Sequence, residues 1–429
     1  MRIAVRNLVQ PLFTAAALAA TLLLVACGGG GSDTVAGSGA GSGAGTGAGS
    51  IPPAASAFAP SATLANMCTL DGQQKFVRSF LDETYLWYDE IVEVKASDFS
   101  TVPAYFNALL VRTPDSTGQP RDRFSTVLTS AGANALKSFP QDVLAAVAGV
   151  PSNLLAATSK SVPVTRVVTS SAGRKVGYIL FNDFNDGAQD ALITSFETLR
   201  ANGVADLVLD LRYNSGGFLY VAQTAASLVT GPQSEGKTFE QLRFNNKRQA
   251  ETAAANYVFS SRVQTPETAF PRGSALPQLN LPRLYVLSSS QTCSASESII
   301  NSLRGIDVEV VLVGGTTCGK PYGFTRKDNC GLAFFALDFQ GYNAKNFGDF
   351  SGGFKATCPV ADNFTTALGS NDEPLLAAAL HHIDTGSCPA PAASKSALQQ
   401  SLPGSGTREF APLVPQSPLR GRLLRADPP

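Results

Sequence analysis

Between Val176 and Val313 short, unbroken apolar runs alternate with stretches of helical periodicity, and this rhythm restricts the fold more than any other feature of the chain. Val176–Phe181, Leu207–Leu209, Leu284–Leu287 and Val308–Val313 each read as a buried strand. Among them, Leu192, Ile193, Phe196 and Leu199 line one helix face, Leu219–Leu228 starts a second helix and Ser294–Leu303 gives a third. Strands alternating with helices imply a sheet covered by helices, an α/β core. Upstream, Phe76, Val77, Phe80, Leu81, Leu86 and Tyr88 recur near helical spacing within Asp71–Ile91, and Tyr105, Phe106, Leu109 and Leu110 mark another helix. These predict a small N-terminal helical cap over residues 61–125. Residues 126–175 read as Ala/Leu helix (Val143, Leu144, Val147) and polar linker, and 176–388 as the core.

The two ends have no core-forming pattern. Residues 1–26 carry Arg2 and Arg6, then a mostly apolar run from Leu12 to Val25, the form of an export signal. The run closes on Ala26-Cys27 and looks like a bacterial lipobox, which makes Cys27 the expected lipidation site. The chain is then expected at the bacterial outer membrane, since Gly28 rather than Asp follows the cysteine, anchored in the bilayer and facing the periplasm. Residues 27–60 form a Gly/Ser/Ala-rich tether with an r.m.s. reach of about 30 Å. Residues 389–429 are rich in proline and read as a disordered, solvated tail.

Composition then removes several functions. Thirty-three basic residues balance thirty-three acidic ones, so no surplus is available to neutralise phosphates and no nucleic-acid partner is expected. Two histidines leave little room for a metal centre or a His-based triad, and His381 and His382 are neighbours on a helix, so they point apart. Six cysteines besides Cys27 in an exported chain suggest disulfides, with Cys318–Cys330 and Cys358–Cys388 preferred. No CxxC or Cys/His ligand spacing occurs, so no metal site is expected.

Three motifs remain that could carry chemistry. Asp210-Leu-Arg-Tyr-Asn-Ser-Gly-Gly217 runs from a strand into paired glycines. Gly216 or Gly217 could present a backbone N–H to a developing oxyanion, although a tight strand-to-helix turn would look the same. Ser294-Ala-Ser-Glu297 follows a strand and fits a capping box, with Ser294 as N-cap. Read for chemistry, Ser294 is a nucleophile at a helix tip and the amide of Ala295 a second oxyanion donor. Gly314-Gly-Thr-Thr-Cys-Gly-Lys320 follows the next strand. As a general base near neutrality, Lys320 would need its pKa depressed from about 10.4 by about three units, roughly 4 kcal/mol. Val313, Tyr322 and Phe324 could supply the apolar surroundings for that shift. A lysine at a surface turn is the plainer alternative.

In this order the three motifs resemble those of the tail-specific, or carboxyl-terminal processing, serine peptidases. The likeness spans about Val176–Ile383, with fainter echoes in Tyr85–Tyr88 and Asp122-Arg-Phe-Ser125. It implies a ClpP/crotonase-like spiral ββα core, Ser294 as nucleophile, Lys320 as base, and Ala295 with Gly216 or Gly217 as oxyanion hole. It also implies a polypeptide substrate, cut near an unstructured C-terminus through an acyl-enzyme. The pattern departs in three places. The Ser294–Lys320 spacing is one residue longer than usual. Phe324 stands where the family has a helper Gln, leaving Thr316 and Thr317 as substitutes. The stretch 126–175 is too short for the family's PDZ domain, which is inferred absent. Two other readings are a catalytically silent, peptidase-like binding lipoprotein and a crotonase-type acyl-CoA enzyme, the latter at odds with export.

Overall fold

The unbroken apolar runs become inner strands because side chains on both of their faces are covered. The computed structural model describes residues 57–135, 160–362 and 366–390, with the backbone of 422–424. Six strands form the central sheet, in the order Cys358–Pro359, Glu309–Gly314, Arg283–Ser288, Asp206–Asp210, Lys175–Leu180, Val164–Thr169. All neighbours run parallel except the last pair, which is antiparallel. Alternate residues point to opposite faces. Ile179, Leu209, Val286 and Leu312 pack under the helices Ala188–Ala201, Leu219–Val229 and Ala295–Gly305. Tyr178, Val208, Tyr285 and Val311 pack under Pro374–Thr385.

A second core belongs to the N-terminal body. Its helix Leu70–Thr84 starts at Thr69, whose hydroxyl accepts a hydrogen bond from Gly72 N (3.1 Å), and buries Phe76, Val77, Phe80 and Leu81. With Val102–Leu109 it packs on a three-stranded sheet of Thr126–Thr129, Leu332–Phe335 and Lys327–Asn329. Phe334 sits at the middle, its ring 5.8 Å from Phe76, 6.2 Å from Phe80 and 5.7 Å from Phe106. The cap is therefore not helical alone, and two of its strands come from beyond Lys320.

Several expectations change here. The first helix ends at Thr84 rather than running to Ile91, because Tyr85 turns extended. Its buried hydroxyl donates to Asp122 (2.7 Å) and accepts from Val111 N (3.1 Å), so tertiary bonding overrides periodicity. The described residues of the stretch 126–175 include the short helix Ser130–Ala135 but also the strands Thr126–Thr129 and Val164–Thr169; Val164-Thr-Arg-Val-Val-Thr169 is rich in β-branched residues, which is a strand signal. Val143, Leu144, Val147 and Cys27 lie outside the described residues. Within the stretch read as tail, Arg422–Leu424 forms a strand parallel to Gly216–Phe218. Cysteine pairing is Cys68–Cys330, Cys293–Cys318 and Cys358–Cys388, so the expected Cys318–Cys330 bond is replaced. Cys330 lies at a turn facing the N-terminal body, while Cys318 faces the residue before Ser294. No helix among the described residues is long and apolar enough to cross a membrane.

Candidate active site

Every polar side chain of the Asp210–Gly217 run except Ser215 has an identified bonding role. Asp210 accepts from Arg212 Nε and Nη2 (both 2.9 Å) and from the Tyr178 hydroxyl (2.7 Å). Arg212, fully buried, also grips Glu373 with two hydrogen bonds (2.7 and 2.8 Å) and Asp362 (3.0 Å), and the Tyr213 hydroxyl donates to Asp362 (2.7 Å). Burial pushes the Glu373 carboxyl up, but the guanidinium hydrogen bonds and charge hold it below the ordinary range. Asn214 donates to Phe181 O (3.0 Å) and accepts from Gly216 N (2.9 Å). The Gly216 amide is thus committed to the turn, which leaves Gly217 as the better oxyanion donor of the two. Gly217 has φ 153°, and a Cβ there would meet Phe184 O at 2.5 Å, so no larger residue fits.

Opposite this loop stands the tip of the Ala295–Gly305 helix. Ser294 adopts φ 59° and ψ −111°, a left-handed conformation costing roughly 1–3 kcal/mol for a non-glycine residue. Neighbouring bonds hold it there: Cys293 N donates to Asn214 O (3.1 Å) and Ser298 N to Ser294 O (2.8 Å). Ser294 and Glu297 have the capping-box arrangement that the sequence predicts, with Glu297 accepting from Ser294 N, yet the buried Ser294 Oγ makes no hydrogen bond of ordinary geometry. Ser296, two positions on, donates its hydroxyl to Asn214 O (3.0 Å).

Glu297 is the residue that sequence reasoning undervalued. Its carboxylate accepts from Ser294 N (2.9 Å), Lys320 N (2.9 Å), Gly319 N (2.8 Å) and Thr317 Oγ1 (2.6 Å). One oxygen holds both Ser294 N and Lys320 N, so those nitrogens lie no further apart than the sum of the two bonds. Burial raises the Glu297 carboxyl's pKa, opposed by the four donors. The Cys293–Cys318 disulfide, with Cα atoms 5.1 Å apart, ties the same two loops together. Cys293, Glu297 and Cys318 cluster as metal ligands might, as do Cys358, His382 and Cys388. In each group the two sulfurs are bonded to one another and offer no thiolate.

Lys320 has no exposed surface, and its Nζ lies 4.2 Å from the ring centre of Phe324 and 5.1 Å from that of Phe124. Phe324, at the helper position, offers an aromatic face and packs edge-on against Phe335 (5.3 Å). Phe124 comes from the N-terminal body, whose Arg123 donates to Gly319 O (3.4 Å) and Ser351 O (3.3 Å). The faint Asp122-Arg-Phe-Ser125 echo was the signal for this contact. Val313 belongs instead to the cluster under Pro374–Thr385. Thr317 orients Glu297 rather than the lysine, and His382 pairs with the Tyr285 hydroxyl (3.1 Å) in that same distant cluster.

Residues 175–353 match Peptidase family S41, and residues 72–126 match the Peptidase S41 N-terminal domain. Together these regions take in more than half of the chain. A carboxyl-terminal-processing protease of Picosynechococcus sp. is 31% identical over 183 residues, 42% of this chain and 38% of the relative. The chloroplastic carboxyl-terminal-processing peptidase 2 of Arabidopsis thaliana is 40% identical over 82 residues, 17% of this chain and 16% of the relative. The chain thus spans well under half the length of these relatives. A structure from Bacteroides fragilis assigned to the S41 proteases shares the fold, with TM-score 0.56 and 20% identity over 72% of this chain and 97% of that one. With an N-terminal and a peptidase region both matched, and the fold shared along most of the described residues, the chain belongs to peptidase family S41.

Proposed function

We propose that the chain is a serine endopeptidase in which Ser294 is the nucleophile and Lys320 the general base. Ser294 Oγ attacks the scissile carbonyl while Lys320 Nζ takes its proton. The amides of Ala295 and Gly217 receive the oxyanion, and the lysine returns the proton to the departing amine. Water, deprotonated by the same lysine, then releases the acyl group and restores Ser294. No cofactor takes part. The observation carrying this reading is the single Glu297 oxygen that accepts from both Ser294 N and Lys320 N. Lys320 is withdrawn from water with its Nζ over the Phe324 ring, the apolar setting that a lysine base needs. The substrate is an unstructured polypeptide, cut near its C-terminus. The enzyme acts outside the cytoplasm, lipid-anchored through Cys27 at the outer membrane and facing the periplasm.

Purified protein should cleave an unfolded polypeptide, and Ser294→Ala or Lys320→Ala should each lower the rate at least about 10³-fold without a change in melting temperature. Equal rates in all three would remove the mechanism. Radiolabelled palmitate should enter the wild type in cells and not Cys27→Ala. A second reading, a silent binding lipoprotein, draws on Ser294 Oγ making no hydrogen bond. It predicts binding of unfolded chains with no cleavage by any variant.

A further inference from the structure

The strand Gly216–Phe218 has two edges, and both are occupied. On one, Phe184 N donates to Gly216 O (3.5 Å) and Phe218 N donates to Phe184 O (2.8 Å). Main-chain groups alternate in direction along a strand, so those of Gly217 face the other edge. There Arg422–Leu424 runs parallel, with Arg422 opposite Gly216, Leu423 opposite Gly217 and Leu424 opposite Phe218. The same segment lies beside Tyr322–Gly323, which begins two residues after Lys320. Residues 422–424 therefore lie between the strand bearing Gly217 and the strand leaving Lys320.

We propose that this groove is the main-chain acceptor for extended polypeptide, and that residues 422–424 are its resident occupant, a built-in competitor of substrate. The proposal rests on reading Ser294 and Lys320 as the active site. Strand addition at a sheet edge recognises any extended chain through its main-chain groups, with little demand on sequence. That suits a substrate lacking regular structure. Ser294 and Lys320 have no exposed surface, so a substrate reaches them only when a covering segment moves. Thirty-three residues separate Arg422 from Cys388, which is fixed by its bond to Cys358. A covalent link of that length holds its end at an effective concentration on the order of millimolar. Free chains of equal affinity must approach that level to displace it.

The test uses the full chain in the Ser294→Ala background, where no cleavage confuses binding. Leu424→Pro removes the N–H that faces the Gly217 carbonyl, and Ala426→Pro, outside the strand, is the control. A fluorescent peptide of residues 416–429 should bind at least ten-fold more tightly to the Leu424→Pro protein than to its parent or the control. Hydrogen exchange should show amides of 422–424 protected in the parent and control and unprotected in Leu424→Pro. Equal peptide affinity in all three, or no protection in the parent, would overturn the proposal. Cleavage with Ser294 restored is a separate readout. Tail displacement as described, with no variant cutting any polypeptide, keeps the groove and removes the peptidase reading. Cleavage at equal KM in wild type and Leu424→Pro, with equal peptide binding, removes the groove alone.

Discussion

Ser294 is positioned by main-chain hydrogen bonds within the catalytic core, whereas Lys320 is positioned by aromatic faces drawn from two bodies of the fold. Around the serine, Asn214 O, Glu297 and the first turn of the helix fix a strained backbone, and all of these lie in Asp210–Ser298. Around the lysine, Phe324 comes from the following strand region and Phe124 from the N-terminal body. A polar turn can be specified by a short motif. An apolar enclosure forms only when distant segments dock. Glu297 bridges the two arrangements, which makes it the place where the contrast is easiest to break.

The largest effect is expected there. Glu297→Ala leaves buried donors at Ser294, Gly319 and Lys320 unmatched, so kcat should fall on the order of 10²–10³-fold and stability by about 3–5 kcal/mol. Glu297→Gln should recover much of the stability and little of the rate. Steady-state kinetics with thermal melts checks both, and an effect confined to KM would count against a positioning role. Phe124→Ala should come next, with kcat lowered roughly ten-fold and about 3 kcal/mol of stability lost. If the N-terminal body matters only for stability, kcat at low temperature will stay at the wild-type value.

The two disulfides in this half of the molecule separate the contributions further. Replacing Cys68 and Cys330 by Ser opens a link with a sequence separation of 262 and should lower stability by roughly 3–5 kcal/mol while sparing kcat. Replacing Cys293 and Cys318 should do the reverse, since that bond joins the serine and lysine loops. The last effect appears only as pH is varied and is placed at Glu240, buried on the strand Thr238–Phe244 with one oxygen unpartnered and its pKa raised by burial to about 8. Below its unfolded value both states hold the proton and nothing is lost. As pH rises towards about 8 only the unfolded chain ionises, so stability falls by about 1.4 kcal/mol per unit. Glu240→Gln should flatten that slope in melts between pH 5 and pH 8. An unchanged slope would show that Glu240 is not its source.

The same contrast explains what could be read in advance. The inner strands were legible because burial on both faces forces unbroken apolar runs, and Ser294, Gly217 and Lys320 stood out as candidates because their motifs stand in a fixed order. Glu297 was visible as a helix cap, yet its reach to Gly319 and Lys320 depends on a loop more than twenty residues away. Nothing near Lys320 in the sequence names Phe124 as a neighbour. The strand at Arg422–Leu424 carries only three residues of pattern, and its structure comes from the edge it meets, Gly216–Phe218. Local signals fail where the partner is remote.

The proposed proton transfer from Ser294 to Lys320 can be tested through the rate at which a small fluorophosphonate labels the full-length protein, read by intact and peptide mass spectrometry. One adduct on Ser294 should form in the wild type, with labelling at least about 10³-fold slower in Lys320→Ala and absent in Ser294→Ala. Equal labelling rates in wild type and Lys320→Ala, or an adduct on any other residue, would contradict the account.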